Sequence, residues 1–107
     1  MGEIRIQRDE RNHVTGLAVR DVDANTPAGA GTSLLLKATT MSLADYLHVP
    51  VQSTISEGDI ISVDRCDAHL DREIDAILET LVIGLKLLES EHPNDLSVEE
   101  ATVQVEV

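Results

Sequence analysis

The sequence predicts an α+β domain with the element order β-β-α-β-β-α-β. Two observations support this fold class. Apolar residues recur at intervals of three and four between Leu70 and Leu88, which is the periodicity of an amphipathic helix. Elsewhere, short apolar runs are separated by clusters of polar, glycine and proline residues, as in strands joined by turns. With 107 residues, the chain has the size of one domain, so a single domain is expected over 1–107.

Four short strands are predicted as two pairs. Ile4 and Ile6 alternate with polar residues and predict a first strand, and Val14, Leu17 and Val19 predict a second that favours a hairpin with the first. Residues 49–56 and 59–64 predict two more strands, joined by the two-residue turn Glu57–Gly58. In the last of these strands, the apolar residues of the run IISV point to both sides of a sheet. That pattern favours helices on opposite faces, and therefore α/β/α layering.

The segment 21–33, DVDANTPAGAGTS, predicts a loop because it is rich in proline, glycine, asparagine and threonine. Thr32 or Ser33 is then expected to cap a helix over 34–47. The run AGAGTS within the loop resembles a phosphate-binding turn before a helix. It lacks the lysine of a Walker loop and the complete G-x-G-x-x-G pattern, so a mobile loop is the preferred interpretation.

The second helix is predicted to begin near Ala68, with Asp67 as its N-cap, and to end before Pro93. Gly84 lies inside this helix, where glycine costs about 1 kcal/mol relative to alanine. A glycine at such a position usually marks the close approach of another backbone. The apolar residues of 96–107 predict a closing strand.

Composition restricts the classes of partner. The formal net charge is −12, and an acidic surface repels phosphate backbones, so no nucleic acid is expected as a partner. A basic partner would be attracted. No run reaches the roughly 18 apolar residues of a membrane span, and the N-terminus has no signal-peptide core. The single cysteine cannot form an internal disulfide. These features favour a cytoplasmic protein that does not contact a membrane.

The last helix and the turn after it resemble those of the ribosomal-processing cysteine proteases, the Prp family. The resemblance is strongest at Leu81, Gly84–Leu85, Leu88 and His92–Pro93, and the element order agrees over nearly the whole chain. The resemblance implies a mixed five-stranded sheet with two helices, and it suggests a homodimer. It also implies cleavage of a short N-terminal extension from a large-subunit ribosomal protein.

The residues that carry catalysis in this family are missing here. In the family, the second strand ends in Gly-His-Ala. A loop of about ten residues leads to a cysteine at the start of the first helix, where the helix N-terminus and the imidazole lower the thiol pKa. The ungapped register places Asp21–Asp23 over Gly-His-Ala, with Val22 at the histidine. The cysteine position falls within Leu35–Lys37, centred on Leu36. No cysteine or histidine lies between Val14 and Asp45.

Two other residues are candidates for a relocated nucleophile. Ser33 lies at the predicted helix start, but a serine hydroxyl is inert without a general base, and an N-cap role explains it better. Cys66 forms a C-x-x-H pair with His69. A zinc site needs three or four converging ligands, so this pair does not predict a metal, and no cofactor is expected.

The preferred hypothesis is a homodimeric Prp-like domain without peptidase activity that binds a basic peptide or a ribosomal protein. The binding groove is expected between the segment 21–33 and the first helix. Its candidate residues are Asp21, Asp23, Gly29, Gly31, Ser33 and Asp45. One alternative is an active ribosomal-processing peptidase that uses Ser33 or Cys66. The other alternative is a purely structural dimer with no ligand.

Overall fold

The computed structural model describes residues 2–54, 59–63 and 68–102 and contains two helices and a mixed β-sheet. The predicted α+β class and element order are confirmed. The elements are β1 (Gly2–Arg8), β2 (Val14–Arg20), α1 (Pro27–Met41), a π-helical turn (Ser42–Tyr46), β3 (Val51–Thr54), β4 (Asp59–Val63), a 3₁₀ turn (Ala68–Leu70), α2 (Asp71–Glu91) and β5 (Leu96–Thr102).

The sheet has the strand order β3-β4-β2-β1-β5. β1 and β2 form the predicted antiparallel hairpin, in which Ile4 lies opposite Val19 and Ile6 lies opposite Leu17. β5 joins the other side of β1 in parallel, whereas β4 pairs antiparallel with both β2 and β3. The predicted turn at Glu57–Gly58 lies outside the described residues. β1 therefore lies between β2, its antiparallel partner, and β5, its parallel partner.

Both helices cover one face of the sheet, and no other element among residues 2–54, 59–63 and 68–102 covers the opposite, bare face. Along β1, Ile4 and Ile6 are buried, whereas Glu3 and Arg5 on the opposite face are exposed. The buried residues of the strands and of both helices form a single core. The prediction of α/β/α layering is therefore wrong, and the domain has two layers. That prediction relied on one short strand, whereas the polar alternation in β1 marks the face that stays in water.

The two helices pack against each other in antiparallel orientation. A Cβ on Gly31 would lie 2.9 Å from Leu88 Cδ2, and a Cβ on Gly84 would lie 3.1 Å from Leu35 Cδ1. The prediction of a close backbone approach at Gly84 is wrong, because the nearest atoms there belong to the Leu35 side chain. With no phenylalanine or tryptophan in the chain, the core beneath the helices is aliphatic.

α1 begins earlier than the sequence predicts. Thr26 is its N-cap, with extended backbone dihedral angles, and Pro27 occupies the first turn. Thr32 is buried inside the helix, where its hydroxyl donates to the carbonyl oxygen of Ala28 at 2.8 Å. The predictions of a loop over 21–33 and of a cap at Thr32 or Ser33 are therefore wrong. Proline at the first helical position is a helix start signal, which the glycines after it obscured.

A buried arginine joins β1, β5 and α2, and its partners were not predicted from the sequence. The Arg8 side chain is 10 % exposed. It contacts Glu79 at 2.5 Å and Glu100 at 2.9 Å, and it donates to the carbonyl oxygen of Asn12 at 2.9 Å. Lys86 donates to the other oxygen of Glu100 at 3.0 Å. We refer to Arg8, Glu79, Lys86 and Glu100 as the Arg8 cluster.

The Arg8 cluster makes stability depend on pH in the acid range. The hydrogen bond from Lys86, followed by the one from Arg8, lowers the pKa of Glu100 below its ordinary value of 4.5. The folded state therefore binds this proton more weakly than the unfolded state does. The stabilisation is fully present above about pH 4.5 and is lost as the pH falls through the lower folded pKa.

We expect the free energy of unfolding to decrease below about pH 4.5, and to decrease less steeply in Glu100→Gln, which has no proton to bind at this position. Urea unfolding at intervals between pH 7 and pH 3 measures both slopes. Equal slopes in the two proteins would show that Glu100 does not contribute to the acid sensitivity.

Candidate functional site

The connection from β2 to α1 is a tight turn. Asp21 has a φ of 56°, a left-handed conformation that glycine adopts most easily and that aspartate tolerates. Val22 is half-buried and packs over Gly2, where an added Cβ would lie 2.9 Å from Val22 Cγ2. Four residues, Asp23–Thr26, then lead into the helix. The connection between the strand and the helix is therefore short and consists of residues 21–26.

Hydrogen bonds fix this turn. The Asp23 carboxylate accepts from the backbone N–H of Asn25 at 2.9 Å. The Asp23 carbonyl oxygen accepts from both the N–H and the hydroxyl of Thr26, at 3.1 Å and 2.8 Å. The Thr26 hydroxyl in turn accepts from the N–H of Gly29 at 3.0 Å. The Thr26 hydroxyl thus caps the helix, and it both donates a hydrogen bond and accepts one.

Gly29 lets the turn lie directly on the helix. A Cβ at this residue would be 1.7 Å from the carbonyl oxygen of Asp23, far inside any permitted contact. Gly29 is a predicted site residue, but the structure gives it a packing role under the turn. The backbone approach that the sequence analysis expected at Gly84 occurs instead at Gly29.

The structure separates the two positions predicted to correspond to a catalytic pair. Val22 lies in the turn, close to the start of α1. Leu36 lies in the third turn of the helix and is buried in the core. The helix begins at Pro27, nine residues before Leu36, so Leu36 does not lie at the helix start, where the resemblance puts the cysteine. The helix start carries Thr26 and Pro27, and neither has a thiol.

The predicted groove is not assembled as one surface. Asp21 and Asp23 are exposed beside Gly29 at the start of α1, so these three lie together as predicted. Gly31 faces α2. Ser33 is half-buried in the second helical turn, and Asp45 is exposed in the π-helical turn, roughly 27 Å along the helix from Pro27 at ~1.5 Å per residue. Helix geometry thus leaves a smaller acidic site at one end of α1.

The surroundings of Ser33 give no support to its role as a relocated nucleophile. Ser33 is an interior helical residue, so the free N–H groups of the helix start do not surround its hydroxyl. Cys66 lies outside the described residues, so its role stays a prediction. His69 is exposed in the 3₁₀ turn before α2. Within 2–54, 59–63 and 68–102, no group of three or more potential metal ligands converges.

A histidine–aspartate pair joins the hairpin turn to α2, and sequence reasoning missed it. His13 Nδ1 lies 2.8 Å from Asp75 Oδ2, and the N–H of His13 donates to the Asp9 carboxylate. Such a pair can orient a general base. However, His13 lies at the opposite end of β2 from Asp21, roughly 20 Å away for seven strand residues. The pair therefore belongs to the scaffold and not to the site at the helix start.

The bare face of the sheet carries a shallow depression of about 110 Å³. Its lining comes from β1, β2 and β5 and consists of Glu3, Ile4, Arg5, Ala18, Arg20, Ser97 and Glu99. Arg5 and Glu99 lie 3.9 Å apart and are well exposed, so this ion pair contributes little to stability. The depression is open and balanced in charge, without a buried polar group that would select a ligand.

The fold is similar to that of several solved structures. Prp from Staphylococcus aureus in complex with a substrate peptide superimposes with a TM-score of 0.81 at 15 % identity, covering 94 % of this chain and 100 % of that one. SMU.848 from Streptococcus mutans gives 0.77 at 14 % identity, with 96 % of each chain covered. A hypothetical protein from Staphylococcus aureus gives 0.76 at 17 % identity, covering 94 % and 100 %.

These likenesses show that the chain has the fold of the ribosomal-processing protease Prp. No protein-family model and no curated protein sequence matches the chain. Within the described part of the chain, neither helix is long and apolar enough to cross a membrane.

Proposed function

We propose that this chain is a Prp-fold domain without peptidase activity that binds a basic peptide or a basic protein, such as a ribosomal protein, as a cytoplasmic homodimer. The observation that carries this proposal is the start of α1. The place where the resemblance puts a reactive thiol holds Thr26 and Pro27, and Val22 stands at the position of the general base.

The backbone supports the register on which this comparison depends. Asp21 falls over the glycine of the family's Gly-His-Ala, and its left-handed φ of 56° is a conformation that favours glycine. Val22 then takes the place of the histidine. An aliphatic side chain cannot accept a proton, so a nucleophile at the helix start would have no base at this position.

The short turn argues against catalysis independently of the missing side chains. The resemblance implies a loop of about ten residues before the nucleophile, long enough to order around a peptide. Here Asp23–Thr26 spans the gap with its hydrogen bonds formed internally. Thr26 is no substitute nucleophile, because its hydroxyl already donates to Asp23 and accepts from Gly29.

Charge supports a basic partner. Contacts bring the ends of several elements to the start of α1, because the N–H of Gly2 donates to the carbonyl oxygen of Asp95 at 3.0 Å and Leu88 packs on Gly31. The exposed carboxylates at this end are Asp21, Asp23, Glu91 and Asp95. A Prp structure has been determined with a substrate peptide, so peptide binding is within the capacity of the fold.

The absence of peptidase activity is tested with a peptide that spans the processing site of the same cell's ribosomal-protein precursor. We expect no cleavage above the uncatalysed background, and we expect the Ser33→Ala and Cys66→Ala variants to behave like the parent. Mass spectrometry of the products measures this. Cleavage that disappears in either variant would instead support an active peptidase with a relocated nucleophile.

Binding is tested separately, with a labelled basic peptide and fluorescence anisotropy. We expect Asp21→Asn together with Asp95→Asn to raise the dissociation constant roughly 2- to 30-fold, since each exposed ion pair contributes about 0.2–1 kcal/mol. Asp45→Asn removes one carboxylate at the other end of α1 and is the control, compared with the double variant per charge removed. Equal weakening by all variants would indicate non-specific attraction, and no binding at low salt would favour the purely structural dimer.

A further inference from the structure

The closing strand β5 is an outer strand of the sheet. It pairs in parallel with β1, and no strand within 2–54, 59–63 and 68–102 lies on its other side. An outer strand presents a row of main-chain N–H and C=O groups with which another extended chain can pair. β5 has seven residues, whereas β3 at the opposite edge has four. β5 is therefore the longer edge at which a strand can add.

Hydrogen bonds show which residues of β5 face this free edge. The N–H of Gly2 donates to the carbonyl oxygen of Asp95 at 3.0 Å, so the Asp95 carbonyl points towards β1. The N–H of Val98 donates instead to a side chain of α2. Because main-chain groups alternate in direction along a strand, Val98, Glu100 and Thr102 direct their N–H and C=O groups away from β1.

The Glu89 carboxylate occupies an acceptor position that an added strand would use. Its Oε2 atom lies 2.6 Å from the nitrogen of Val98, where the carbonyl oxygen of a paired chain would otherwise accept. One step earlier along the edge, the N–H of Leu96 donates to the carbonyl oxygen of His92 at 3.1 Å. The end of α2 thus closes the first part of the edge, with backbone at Leu96 and with a side chain, which can rotate away, at Val98.

Carboxylates border the free edge. Asp95 is exposed at the start of β5, and Glu99 is exposed on the bare face of the sheet. Glu99 lies 3.9 Å from Arg5, and both side chains are well exposed, so this weak ion pair leaves Glu99 available to a partner. Glu89 adds a carboxylate on the helix side. Charge complementarity therefore favours an extended chain with basic side chains.

The two faces of the sheet set the pattern of such a chain, because alternate side chains of an added strand point to opposite faces. On the bare face, a lysine or arginine opposite Glu99 would form a cross-strand ion pair. On the helix side, the neighbours are Val98, which is half-buried against the core, and Glu100, whose charge the Arg8 cluster already neutralises. The edge fits a segment in which basic and apolar residues alternate.

We propose that the outer edge of β5 binds an extended basic segment of the partner as an added strand, and that Glu89 closes this edge until the segment arrives. The inference rests on the basic-peptide binding proposed above and assigns the site and conformation of the peptide. On binding, a peptide carbonyl replaces the Glu89 carboxylate at the N–H of Val98, and the released carboxylate pairs with a basic side chain. A strand along all of β5 would span roughly 23 Å.

Fluorescence anisotropy with the whole chain and labelled peptides tests this assignment. The probe alternates lysine and valine over about eight residues, and two further versions carry N-methyl groups on all the lysine or all the valine main-chain nitrogens. Methylation keeps the charge but removes N–H donors and obstructs strand pairing. Since only one of the two sets faces β5, we expect one version to bind at least tenfold more weakly than the probe and the other to stay within about threefold.

Glu89→Ala and Glu89→Gln form a matched pair of variants. Both remove the negative charge, but only glutamine keeps an acceptor for the N–H of Val98. We expect the probe to bind roughly 2- to 10-fold more tightly to Glu89→Ala than to Glu89→Gln, because it then has no hydrogen bond to displace. Equal affinity for the two variants would overturn the closing role of Glu89.

Failure of the inference is distinguishable from failure of the proposed function. A probe that does not bind at low salt would overturn basic-peptide binding and the β5 site together. A probe that binds as tightly as both methylated versions would be held by charge alone. That result would overturn only strand addition at β5 and would leave the proposed peptide binding intact.

Discussion

Replacement of Arg8 by methionine is expected to lower the free energy of unfolding by about 2–4 kcal/mol. Methionine keeps the length and apolar body of the side chain, so the substitution removes mainly the guanidinium. That group holds Glu79 at 2.5 Å and Glu100 at 2.9 Å. Without it, two carboxylates face each other beside the core with no cation between them.

The size of this effect follows from the degree of burial. Removing one partner of a fully buried ion pair costs roughly 3–5 kcal/mol. Arg8 is 10 % exposed, but Glu79 is 44 % and Glu100 is 35 % exposed, so water compensates part of the loss. Arg8 also donates to the carbonyl oxygen of Asn12, and the end of the hairpin loses that bond too.

Lys86→Met is the matched control for Arg8→Met. It removes a cation from the same carboxylate of Glu100, but the lysine side chain is 49 % exposed, so a loss of less than about 1 kcal/mol is expected. Urea unfolding measures the free energy of unfolding of both variants and of the double variant that combines Arg8→Met with Glu79→Gln. The double variant should recover part of the loss, since it removes one stranded charge. Equal stability of Arg8→Met and Lys86→Met would contradict a special role for the buried guanidinium.

The parts of the fold that the sequence predicts correctly are those with a strong local pattern. α2 follows an apolar repeat of three and four residues that continues for five turns, and Pro93 lies just beyond its end. The hairpin of β1 and β2 follows from the alternation at residues 4–6 and from the apolar residues Val14, Leu17 and Val19. In each case, burial of one face requires the pattern, so the pattern alone identifies the element.

The start of α1 was not predictable in the same way, because its glycines serve tertiary contacts. Glycine is intrinsically unfavourable in a helix, so Gly29 and Gly31 indicate a loop when only the sequence is considered. In the structure, Gly29 lies under the carbonyl oxygen of Asp23 and Gly31 lies against Leu88. The local signals for a helix, Thr26 and Pro27, were present but were outweighed by glycine content.

The candidate site was predicted in part for the same reason. Asp21 and Asp23 do lie together beside the helix start, because they are neighbours in sequence. Leu36 lies away from the helix start because the helix begins at Pro27, earlier than the glycine-rich sequence predicts. The Arg8 cluster joins residues 92 positions apart. An arginine near a turn is usually exposed, so the local sequence does not indicate such a distant partner.

Gly29→Ala is expected to destabilise the domain by about 2–4 kcal/mol. Alanine favours a helix by about 1 kcal/mol over glycine, so secondary structure alone predicts a gain. The new Cβ would stand 1.7 Å from the carbonyl oxygen of Asp23, which is backbone and cannot rotate away. Either the turn must lift from the helix, with loss of the Thr26 cap, or the helix must lose its first turn.

Gly84→Ala is the matched control, because it makes the same change inside a helix where the nearest atom, Leu35 Cδ1 at 3.1 Å, ends a flexible side chain. A change within about 1 kcal/mol is expected there, since helix propensity and the tight contact oppose each other. Thermal unfolding compares the two variants. Equal stability of the two variants would mean that the turn over Gly29 can shift to make room for the new Cβ. A large difference would mean that Asp23–Thr26 is held tightly against α1. A turn held in that way cannot open to surround a peptide, so any partner must bind to its outer, acidic side.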